Sequence, residues 1–247
     1  MWITILILFL LPVFPISMLV NKLLSVLNYK LFTVLILTFF ICGNLTLLKF
    51  NINSQIFQFL QFLAVFTILF YSFRLLGVKN LKTFILYLYP IISSLALLWY
   101  MIGGDILEFL ALKTPILISF LALYTFLFNQ FGIIHQKSIS GLGSMMPRFS
   151  IFFVLSIMGI SSSMFFLGYE MLEIEISKLP IVYGVSLVVS WIFINWSSIR
   201  VVEWLIYGTP NKLMECRDLD NKKMIFFIFL ILISVVFFIF YSLRGLA

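Results

Sequence analysis

The chain has 247 residues, of which 63% are apolar and only 10% charged, with a mean hydropathy of +1.19. Soluble domains carry ~25% charged residues, so this composition excludes one and implies an all-α integral membrane protein. The net charge of +7 is scattered among loops rather than gathered into a stripe, which excludes a nucleic-acid surface.

Taking ~20 apolar residues per crossing, the sequence predicts eight transmembrane helices, near 2–20, 29–49, 55–76, 82–102, 106–132, 149–170, 180–207 and 223–243. Short connections carrying turn formers join them, so residues 1–247 read as a single transmembrane domain. The apolar opening lacks both a basic start and a small-residue cleavage site, so the first segment is expected to stay as a span. Pro12 and Pro15 lie inside that span and Pro90 inside the fourth, and each removes a backbone hydrogen bond, bending or unwinding its helix.

The fifth span, Gly104 to Gln130, carries Lys113. A lysine deep in hydrocarbon costs ~2.5–3.5 kcal/mol on insertion scales, so it snorkels, pairs or functions. One reading starts a helix at Thr114-Pro115 and leaves Lys113 at the interface. The other buries Lys113 and pairs it with Asp105, Glu108 or a neighbouring helix.

Eight spans put both termini on one side. Loops after odd-numbered helices hold Lys22, Lys30, Arg74, Lys79, Lys82, Lys137, Arg148, Arg200, Lys212, Arg217, Lys222 and Lys223. The opposite side holds only Lys49, Lys113, Lys178 and Arg244, together with Asp105, Glu108, Glu170, Glu173 and Glu175. The positive-inside rule then sends both termini outward, to an intermembrane space or periplasm.

Phosphate-loop, HExxH and CxxC signatures are absent, and the only histidine is His135. A histidine triad or bis-histidine haem site within the chain is thereby excluded, as is a lipid enzyme built on clustered His or Asp. Cys42 sits in an apolar run and Cys216 in a charged loop, suggesting neither a disulfide nor a metal site. The ionisable candidates left are Lys113, Glu170 and the Arg200/Glu203 pair, whose spacing of three suggests mutual pairing on one helix face.

From Ser140 the chain reads SGLGSMMPRFSIFFVLSIMGISSSMFFLGYEML. This resembles the antiporter-like membrane subunits of respiratory complex I, closest to subunit 4, the M-type subunit. There a G-G-L loop ending in M-P precedes a helix ending in P-G-T-S-x-F-x-G-E-F. Tyr207-Gly208, Asp218-Leu219-Asn221, Asn80-Leu81-Lys82 with Tyr87, Gly43 to Phe50, and Pro12-Val13-Phe14-Pro15 resemble further motifs of that family, in the same order. The resemblance covers the whole chain but only helices seven to fourteen of the family's fourteen. Residues 1–135 correspond to second-repeat helices and 136–247 to the C-terminal helices.

The resemblance implies a membrane-arm subunit of a proton-pumping NADH:ubiquinone oxidoreductase, encoded as a split or truncated subunit-4-like chain. A cation/proton antiporter or membrane-bound hydrogenase subunit shares the motifs and stays open as the alternative. Family members pass protons along buried Lys, His and Glu residues. Carried over position by position, the family's lysines fall on Leu10 and Ile41, and a histidine falls on Ile92. A second histidine falls on Lys113, and the family's glutamate falls on Tyr169, beside Glu170. The relay is therefore degenerate, with Lys113 and Glu170 as remaining candidates and a mainly structural role favoured. No cofactor is expected in this chain; NADH, FMN, iron–sulfur clusters and quinone belong to other subunits. The partners implied are other membrane-arm subunits, one of them a separate chain supplying the first repeat, and membrane lipids. The Phe-rich composition suggests the inner membrane of a divergent mitochondrion, with a bacterial inner membrane as the alternative.

Overall fold

The computed structural model describes residues 8–48, 54–132, 134, 139–161, 179–207 and 217–245. The architecture is all-α. A helical stretch at 8–10 is followed by α1 (Ile16–Val26), α2 (Tyr29–Leu47), α3 (Ser54–Leu75), α4 (Leu81–Met101) and α5 (Ile106–Phe131). Then come the one-turn α6 (Leu142–Met145), α7 (Pro147–Ile160), α8 (Ile181–Ile206) and α9 (Asn221–Gly245). Among the described residues, five helices are long and apolar enough to cross a membrane: α2, α3, α4, α5 and α8.

The second, third, fourth, fifth, seventh and eighth predicted spans lie within a few residues of helices. The first does not. In place of one helix over 2–20, the chain turns at 11–14 and α1 runs on to Val26, so the loop expected before residue 29 shrinks to Leu27-Asn28. Pro90 behaves differently, since α4 runs through it without interruption.

Helix α4 is the central element, with 83% of its spanning window buried against α1, α2, α3 and α5. Helix α5 continues the core, packing against α2, α7 and α9, while α8 lies against α3 and α7. Gly103 and Gly104 make the tight link between α4 and α5. Gly103 sits at φ 90°, a region costly for other residues. A Cβ on Gly104 would come within 2.3 Å of the Trp99 indole. That indole donates to the Asp105 carbonyl at 2.9 Å, and Asp105 caps α5 by accepting from the Leu107 amide at 2.8 Å.

Among the described residues, basic side chains next to the connections cap helix ends. Lys82 donates to the Ser25 and Leu27 carbonyls at 2.7 and 2.9 Å, closing α1. Arg200 donates to the Leu76 carbonyl just past α3, correcting the expectation that it pairs with Glu203. The carbonyl wins because a helix leaves its last C=O groups unpaired, and its negative end attracts a cation. Asp218 performs the opposite task. Its carboxylate accepts from the Arg148 and Phe149 amides at 3.1 and 3.0 Å, capping the start of α7, while Arg148 donates to Asn221 at 2.8 Å.

Candidate functional site: a divided helix and a buried lysine

At two places in the interior, backbone groups are served by side chains from other helices. The first is the interruption before α1. In an unbroken helix the Phe14 amide would bond the Leu10 carbonyl. Here that bond is divided: the Phe14 amide donates to Thr67 Oγ1 at 2.8 Å, and the Leu10 carbonyl accepts from Tyr89 Oη at 2.5 Å. Pro12 and Pro15 explain why the helix opens there, since neither has an N–H to give residues 8 and 11. The two partners come from different helices, Thr67 from α3 and Tyr89 from the core of α4. One turn further on, Tyr71 donates to Ser17 Oγ at 3.1 Å, fixing the start of α1.

The break also demands close approach by α2. A Cβ on Gly43 would lie 2.7 Å from Leu11 Cγ and 3.2 Å from Leu10 Cβ, so glycine is what lets that helix reach the interruption. Asn44 beside it is fully buried, its amide donating to the Phe40 carbonyl at 2.8 Å.

The second place is Lys113. Helix α5 begins at Ile106 rather than at Thr114, which removes the interfacial reading, and Pro115 is accommodated inside it. Lys113 is 6% exposed, and its Nζ donates to the Gly159 carbonyl at 3.2 Å. The interaction is with a neighbouring helix, as one expected pairing had it, and the acceptor is a backbone carbonyl.

Gly159 lies in the last turn of α7, which ends at Ile160 with Ser161 as its cap. There the Ile157 carbonyl takes its helical bond from the Ser161 amide at 3.0 Å, the Met158 carbonyl accepts from the Ser161 hydroxyl at 3.2 Å, and the Gly159 carbonyl accepts from the Lys113 ammonium. A cation at the negative end of a helix is favourably placed. The same region is tied twice more, by Ser119 with Ser156 at 2.7 Å and by Ser234 donating to the Leu112 carbonyl at 3.2 Å.

The positions where the resemblance put lost relay groups are accounted for by packing. Leu10 contributes its carbonyl to the divided bond, Ile92 is 4% exposed in the core of α4, and Ile41 is half-buried on α2. Glu170, with Tyr169, Glu173, Glu175, His135 and Cys216, lies outside the described residues. Lys113 is the only charged side chain buried among the described residues. Tyr89, Thr67 and Tyr71, which hold the interruption open, carry no sequence signal, because lone hydroxyls in apolar runs are common.

No protein-family model matches the sequence, and comparison with curated proteins finds no relative. Comparison with solved structures does. A chain of respiratory complex I from Thermus thermophilus with bound NADH superposes with a TM-score of 0.75 at 15% identity. The match covers 93% of this chain and 51% of that chain, so this chain spans about half the length of its structural neighbour. At that identity the likeness is one of fold.

Proposed function

We propose that this chain is a membrane-arm subunit of a proton-translocating NADH:quinone oxidoreductase, subunit-4-like, in which it serves mainly as scaffold. The observation that carries the reading is the divided helix before α1. It occurs in a bundle whose fold matches a complex I chain, at the point where the sequence resembles that family's P-L-F-P motif. Interrupted helices in membranes are kept where they line a path or a site, and the hydroxyls of Thr67 and Tyr89 support this one.

The scaffold role rests on chemistry. Proton transfer needs groups that titrate, and Leu10, Ile41 and Ile92 cannot. Lys113 then acts as an anchor between α5 and the end of α7, in the position a relay group holds in the related subunits. Other membrane-arm subunits are its partners, and redox cofactors reside elsewhere in the complex. The basic loops face the matrix or cytoplasm and both termini face outward, in a mitochondrial inner membrane or its bacterial counterpart.

The test is native electrophoresis of membranes solubilised in a mild detergent. The chain is expected to comigrate with NADH:quinone oxidoreductase activity. Migration alone, or with a hydrogenase, overturns the assignment.

A further inference from the structure

A groove of about 490 Å³ runs between α7 and α8, within the ~300–1,000 Å³ range of ligand pockets. Its walls are apolar, among them Ile157 and Val202, and along α8 it extends from Trp191 to Tyr207, on the order of 24 Å at the helical rise. Glu203 and Tyr207 stand at its mouth, beside the C-terminal end of α8, and among the described residues no lysine or arginine lines it. Arg200, which would otherwise offset Glu203, is turned to the Leu76 carbonyl on the α3 side. Deeper in, Ser198 is 3% exposed and lines the groove, and its hydroxyl has no hydrogen-bond partner.

We propose that this groove holds one glycerophospholipid with a primary-amine headgroup, of the phosphatidylethanolamine class. An ammonium at Glu203 forms charge-assisted hydrogen bonds that a quaternary amine cannot donate, and an anionic headgroup meets a like charge there. Ser198 lies five residues before Glu203, ~7.5 Å further from the mouth. At that depth the lipid presents its ester carbonyls, which supply the acceptor that a buried hydroxyl needs. One acyl chain then follows the apolar wall. The inference rests only on membrane embedding and stands apart from the assignment to complex I.

The full chain, purified and delipidated, is reconstituted with phosphatidylethanolamine or phosphatidylcholine, and retained lipid is counted by native mass spectrometry. Wild type is expected to retain the ethanolamine lipid ~10-fold better. Glu203→Gln, an exposed substitution, should abolish that preference while leaving the fold intact, and Val202→Trp should remove retention of both lipids. A photo-reactive residue at position 202 should crosslink to lipid. Equal retention of the two lipids by wild type, an unchanged preference in Glu203→Gln, or crosslinks to protein alone would overturn the proposal.

Discussion

The divided hydrogen bond before α1 makes a quantitative prediction. Tyr89→Phe keeps the ring and removes the hydroxyl that serves the Leu10 carbonyl, while Thr67→Val removes the acceptor of the Phe14 amide. Each change strands one buried backbone group, which costs about 1–3 kcal/mol. The stranded groups are the two ends of what would be a single helical bond. In the double variant they can therefore bond to each other. Its cost should fall short of the sum of the singles by about 0.5–3 kcal/mol, the range for coupled neighbours. The assay is reversible unfolding in mixed micelles, followed by tryptophan fluorescence. Single variants within about 0.5 kcal/mol of wild type, or strict additivity in the double, would show that the two side chains do not hold one interrupted bond apart; differences of that size are typical of substitutions away from structural features.

Lys113→Met removes the donor to Gly159 and should lower stability by about 1–3 kcal/mol. Lys113→Glu should cost more, because it turns an acceptor toward the negative end of α7. In the assembled complex Lys113→Met should leave protons pumped per NADH oxidised unchanged, and a lowered ratio would refute the scaffold role. Gly43→Val drives a branched side chain into Leu11 and should cost about 1–3 kcal/mol by overpacking, with amide exchange speeding up first around residues 10–15. Asp218→Ala uncaps α7 and should cost about 0.5–2 kcal/mol in the same unfolding assay, with Asp218→Asn recovering part of the loss.

What the sequence made legible follows from the physics of hydrocarbon. Apolar runs of spanning length between turn formers located α2, α4, α5 and α8 within a few residues, because backbone satisfaction in lipid leaves helix as the default. The same rule explains the failures. Pro12, Pro15, Pro90 and Pro115 look alike as letters. The first two open a helix because α3 and α4 bring hydroxyls to the separated groups, whereas Pro90 and Pro115 stay inside continuous helices. Likewise Lys113 donates to the carbonyl of Gly159 and Arg200 to that of Leu76, and every residue has a carbonyl, so no pattern of side chains could point to these two contacts. Side-chain spacing on one helix suggested Arg200 with Glu203, yet a helix end nearby offers a cation an oxygen that has lost its donor. In a bundle with so few charges, cations are placed by where helices stop, and the stops are properties of the assembled fold.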